Sequence, residues 1–147
     1  MTSANCTSPP RAGKADPSFA TESAPQLLVI DDDVTHRTII VCLAQKLGYA
    51  TTEACTVADA SELISTRHFD CMTLDLHMGT QYGAELLEVM NTNQFNVPVI
   101  VISSADDEER WEVLRLATLY GIRVTEVPKP VELGMLRDVF IELKDVV

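Results

Sequence analysis

From Gln26 onward, short apolar runs alternate with segments of helical period, the pattern of βα units wound around a parallel sheet. The runs LLVI (27–30), YATTE (49–53), CMTLD (71–75), PVIVIS (98–103) and RVTEV (123–127) predict five strands. The first, third and fourth read as continuously apolar, as strands buried on both faces do, and are expected at the centre. The first helix is expected to start at an Asp33 cap, to carry Ile39, Ile40, Leu43 and Leu47 on one stripe, and to end at Gly48. Thr56 caps a second helix with Ala60, Leu63 and Ile64 inward. A third covers roughly Tyr82 to Asn91 with Leu86, Leu87 and Met90 inward. The fourth opens on Asp106, Asp107, Glu108 and Glu109, carboxylates suited to the positive end of a helix dipole, and closes near Gly121. A fifth places Leu133, Leu136, Phe140 and Leu143 at spacings of three, four and three.

Residues 1–25 differ in kind. They are rich in Ser, Thr, Pro and Ala with almost no large apolar side chains, so burial cannot offset their ordering entropy, and a disordered tail is expected. Residues 26–147 then form one domain, in keeping with a chain of 147 residues. With 11 Lys plus Arg against 22 Asp plus Glu, the net charge is −11, a field that repels phosphate backbones and anionic headgroups. Nucleic-acid and membrane-surface partners are therefore not expected. No apolar run approaches the ~18 residues of a spanning helix and no secretory signal is visible, which points to a cytoplasmic protein. The four cysteines (Cys6, Cys42, Cys55, Cys71) form no metal-ligand pair and are expected to be reduced, without disulfides.

In open parallel sheets, ligands bind beyond the carboxyl ends of the strands, where strand order reverses. The first strand end presents Asp31, Asp32 and Asp33; the third, Asp75; the fourth, Ser103 and Ser104; the loop after the fifth, Lys129 between two prolines. At an effective dielectric of ~20, two like charges ~4 Å apart repel by about 4 kcal/mol, so a carboxylate cluster needs a cation. Mg²⁺ prefers oxygen ligands and keeps positions for water and phosphate oxygens. Asp75 can then attack a phosphoryl group while Lys129 and a Ser hydroxyl stabilise its equatorial oxygens. Each residue has a plainer role: Asp33 as a cap, Asp75 as a turn residue, the serines as caps of the fourth helix, Lys129 as a solvated cation. Those roles together require four coincidences at successive strand ends. Of the histidines, His36 is expected to face solvent and His68 to lie at a helix end, while the backbone carbonyl of His77 is placed to reach the metal.

These residues resemble the receiver domain of two-component response regulators over about residues 26–145: LLVIDDD the acidic pair, TLDLHMGTQYG the phosphoacceptor loop, PVIVISSADD the switch hydroxyl, VPKP the Lys-Pro. The resemblance implies an α/β, doubly wound (βα)5 fold of the flavodoxin-like type, a five-stranded parallel sheet in the order 2-1-3-4-5. It implies Asp75 as phosphoacceptor, Asp31 and Asp32 as acidic-pocket residues with Asp32 favoured for direct Mg²⁺ contact, and Lys129 as the phosphate-binding lysine, preceding a proline whose bond is often cis. Ser103 matches the switch hydroxyl, with Ser104 as a rival alignment. Gly79 stands where the family commonly has proline. Glu126 stands where many receivers carry the Tyr or Phe that swings inward on activation, so the signal is expected to leave by another face.

The expected function is that of a stand-alone response regulator, since no output module follows in the sequence. A sensor histidine kinase or histidine phosphotransfer protein donates to Asp75, and an unidentified downstream protein reads the change. The chain is expected not to be an enzyme beyond its own phosphorylation and dephosphorylation; a homodimer is compatible with the last two helices. The alternatives are a phosphorelay shuttle or phosphate sink, an aspartate-nucleophile phosphohydrolase, and a receiver-like binding module that never takes phosphate. Phosphohydrolases of that kind usually carry a second Asp two residues after the nucleophile, where this chain has His77.

Overall fold

Successive side chains on a strand point to opposite faces, and this sheet sorts its apolar residues on that period. The computed structural model describes residues 23–76, 83–104 and 109–146. Strands and helices alternate as β1 (Gln26–Ile30), α1 (Val34–Lys46), β2 (Ala50–Ala54), α2 (Val57–Thr66), β3 (Cys71–Asp75), α3 (Gly83–Thr92), β4 (Val99–Ser103), α4 (Glu109–Tyr120), β5 (Val124–Pro128) and α5 (Leu133–Lys144). Every pairing is parallel and the order is β2-β1-β3-β4-β5, the doubly wound, flavodoxin-like receiver arrangement expected. The central strands β3 and β4 are buried throughout, and β1 is buried except at Gln26.

Leu28, Ile30, Met72, Leu74, Val99 and Val101 face a layer formed by α2, α3 and α4. Leu27, Val29, Cys71, Ile100, Ile102 and Val127 face α1 and α5. Burial of such side chains is worth about 1.5–3 kcal/mol each and holds both helix layers on the sheet. Tyr49, just before β2, closes the second layer, its hydroxyl donating to the Phe140 carbonyl at 2.5 Å.

The caps follow the sequence. Asp33 accepts from the N–H groups of Thr35 and His36, and Thr56 from that of Asp59. Gly48 and Gly121 adopt positive φ where α1 and α4 end. Two core assignments need correction. Ile39 and Leu133 are exposed, because the inward stripe of α1 runs through Arg37, Ile40, Val41 and Ala44 and that of α5 through Leu136, Phe140 and Leu143. Cys42 and Cys71 are free thiols, and burial pushes the Cys71 thiol up to about 12. Cys55, however, expected to be reduced, is disulfide-bonded. Spacing along the chain does not reveal which sulfurs the fold brings together. Residues 1–22 of the expected tail, Tyr82 of the expected third helix, and Asp106, Asp107 and Glu108 of the expected fourth also lie outside the described residues.

Candidate functional site at the switch point

Between β1 and β3 the direction of winding reverses, so the loops after these strands diverge and leave a crevice at their carboxyl ends. Asp31 follows Ile30 at the end of β1 and Asp75 ends β3; both carboxylates are buried. The Asp31 N–H donates to the Ala54 carbonyl at 3.0 Å, which carries the strand pairing one residue into the loop. Its Oδ1 accepts from the Asp33 N–H at 2.9 Å. The loop therefore folds back on its own first carboxylate before Asp33 starts α1.

Lys129 arrives from the opposite side. Its N–H donates to the Ser103 carbonyl at 3.0 Å, and its Nζ to Asp75 Oδ1 at 2.7 Å. The Lys129–Pro130 peptide bond is cis. Ser103, the last residue of β4, is buried, whereas Ser104 is half-buried. Asp32 is exposed and lines the mouth of the crevice with Asp33, Asp75 and Lys129. His77 and Gly79 lie outside the described residues.

The expectation that His36 faces solvent is overturned. Its ring turns back over the loop so that Nδ1 contacts Asp31 Oδ2, leaving the side chain 24% exposed. One ligand atom from each of Asp31, His36 and Asp75 lies within 4.8 Å of the other two. Burial pushes the Asp31 carboxyl up to about 6; the Asp33 N–H draws it back, the neighbouring Asp75 carboxylate raises it again, and His36 partly offsets that. This donor set suits a small divalent cation. The crevice around it, about 840 Å³, leaves room for water and phosphate oxygens.

Arg37 was not singled out by the sequence. It is 3% exposed, donating to the Asp31 carbonyl at 2.6 Å and to Glu53 Oε1 of β2 at 2.8 Å. Its signal is positional: a cation on the stripe that otherwise carries Ile40, Val41 and Ala44 must find acceptors inside the protein. The exposed apolar wall of the crevice, Ile39 with Leu133, is likewise visible only in three dimensions. Glu126 pairs with Arg110 of α4 at 2.6 Å, so an ion pair stands at the position that departs from the aromatic of the resembled family. His68 lies just past the end of α2, largely exposed and 3.0 Å from Asp70. Among the described residues no helix is long and apolar enough to cross a membrane.

Comparison with known proteins agrees with this fold. The chain is 31% identical over 101 residues to the regulatory protein VirG of Agrobacterium fabrum, covering 69% of this chain and 40% of VirG. The chain thus spans less than half the length of that relative. Among solved structures, the receiver domain of a Francisella response regulator superposes with a TM-score of 0.69 at 28% identity, covering 83% of this chain and 98% of that one. The receiver domain of a Pseudomonas aeruginosa sensor histidine kinase, with a magnesium ion coordinated in its active-site cleft, does so at 0.70 and 18% identity, covering 84% and 99%. The family model of the response regulator receiver domain runs from residue 27 to residue 138, through both strands that flank the switch point and on into α5, and the chain belongs to that family.

Proposed function

We propose that this chain receives a phosphoryl group on Asp75 from a phosphohistidine of a sensor histidine kinase or phosphotransfer protein, and that the phosphorylated form is read by a protein partner. The observation that carries this reading is the meeting of Asp31, Asp75 and Lys129 at one rim: two buried carboxylates with an ammonium 2.7 Å from Asp75. A buried cluster of like charges is costly as a structural device and is suited to holding a cation and a phosphoryl group.

In the proposed step, a carboxylate oxygen of Asp75 attacks phosphorus, an acyl phosphate O–P bond forms, and the donor P–N bond breaks. The donor ring, protonated on its other nitrogen, takes the P–N electron pair and leaves as neutral imidazole. Lys129 leaves its ion pair with Asp75 as that carboxylate becomes an ester-like oxygen, and turns its ammonium to the equatorial phosphoryl oxygens. The Ser103 hydroxyl, beside the Lys129 segment, supplies a further hydrogen bond to the same oxygens. Asp31, Asp32, Asp75 and the His77 carbonyl are the proposed holders of Mg²⁺, which supplies charge neutralisation when bound. The crevice wall formed by Ile39, Val131 and Leu133 leads from solvent to Asp75 and gives a donor protein an apolar approach.

The test is incubation with Mg²⁺ and a small acyl phosphate donor, comparing wild type with Asp75→Asn by intact mass. The expected result is gain of one phosphoryl group by the wild type alone. Equal labelling of both proteins overturns the assignment.

A further inference from the structure

The proposed phosphoryl chemistry uses the carboxylates and the ammonium of the crevice but gives no task to the imidazole. His36 sits in the first turn of α1, where its N–H is held by the Asp33 cap at 3.2 Å. That anchorage sets the ring over the acidic loop, with Nδ1 against Asp31 Oδ2. The three potential ligand atoms of Asp31, His36 and Asp75 lie within 4.8 Å of one another. An ion with ligands at ~2.1 Å in an octahedral shell holds neighbouring donors about 3 Å apart and opposite donors about 4.2 Å apart. The grouping closes on a cation with small side-chain movements.

The chemistry of the donors differs from that of an all-oxygen site. Mg²⁺ takes hard oxygen ligands and gives up water reluctantly, whereas imidazole nitrogen suits the later first-row divalent ions. We propose that His36 is a cation ligand of this pocket, giving it a preference for a borderline transition ion such as Co²⁺ or Ni²⁺ beyond what oxygen ligands alone impose. The inference rests on the reading of the acidic crevice as a cation site and adds a nitrogen to it. The plainer role is that His36 only hydrogen-bonds Asp31 in the metal-free protein. In that case its removal affects every cation alike.

The two roles separate by measurement on the full chain. Wild type, His36→Ala and His36→Gln are titrated calorimetrically with Mg²⁺, Mn²⁺, Co²⁺ and Ni²⁺, after thermal melts establish that the variants are folded. The Mn²⁺-loaded proteins are then examined by electron spin-echo spectroscopy for modulation from a bound nitrogen. Loss of the imidazole is expected to weaken Co²⁺ and Ni²⁺ by about ten-fold or more while Mg²⁺ binding holds or tightens. Nitrogen modulation is expected in the wild type and absent from both variants. An equal change for all four cations, or no nitrogen modulation in the wild type, overturns the ligand role. Labelling of Asp75 in Mg²⁺ reports separately on the parent reading: labelling without a nitrogen signal removes His36 alone, and absence of any cation binding removes both.

Discussion

Lys129 Nζ donates to Asp75 Oδ1 at 2.7 Å across 54 residues of chain, joining the loop after β5 to the end of β3. In the protein without a phosphoryl group the ammonium balances Asp75. In the phosphorylated form the same ammonium is expected on the phosphoryl oxygens. Replacing Lys129 by Ala is therefore predicted to slow labelling from a small donor by about 10²-fold or more, with the far-ultraviolet spectrum unchanged. Labelling at the wild-type rate contradicts the role.

Arg37 ties the acidic loop to the edge strand β2. Its guanidinium satisfies the Asp31 carbonyl and pairs with Glu53, so Arg37→Met leaves a buried carbonyl and a half-buried carboxylate without that donor. The expected loss is about 2–3 kcal/mol, read as a lower urea midpoint at constant slope. Coupling to Glu53→Gln in a double-mutant cycle is expected, since the two groups share one interaction. Additive losses contradict the pairing.

Asp33 and Asp31, two residues apart, are predicted to separate by role. Asp33 caps α1 through Thr35 and His36, so Asp33→Ala is expected to cost about 1 kcal/mol and Asp33→Asn much less, by thermal denaturation. Equal losses in the two variants contradict the capping assignment.

Asp31 carries the opposite sign. Burial raises its carboxyl from 3.8 to about 6, so between those values the folded protein binds a proton that the unfolded chain releases. Stability from this group is present in full below about pH 4 and is lost as pH rises through about 6. The move corresponds to about 3 kcal/mol. In the presence of a chelator, the stability of wild type relative to Asp31→Asn is predicted to fall across that window and then level off. A flat or rising difference contradicts the burial argument. Divalent cation, by offsetting the ionised carboxylate, is expected to restore stability at pH 7.

These roles were unequally visible in the sequence. The strand ends were legible because apolar runs stop at charged residues, and Lys129 between two prolines marks a fixed loop. The order of the strands came with the family resemblance rather than with the runs, and the two together place Asp31 and Asp75 at one rim. Arg37 was hidden because its acceptors are a backbone carbonyl and a side chain sixteen residues away on β2. Helical period alone places His36 on a surface, but the Asp33 cap turns the first turn of α1 over the pocket, a feature of loop geometry that periodicity does not encode. Ile39 and Leu133 satisfied an apolar period yet line an open crevice, since a stripe read along one helix does not say where the neighbouring helix stops.

The most direct measurement identifies the residue that carries the label. After incubation with Mg²⁺ and a small acyl phosphate donor, borohydride reduction converts an aspartyl phosphate to homoserine, and peptide mass spectrometry locates it. Homoserine at position 75, in place of Asp75, is the predicted result. Homoserine at any other aspartate, with position 75 intact, contradicts the account.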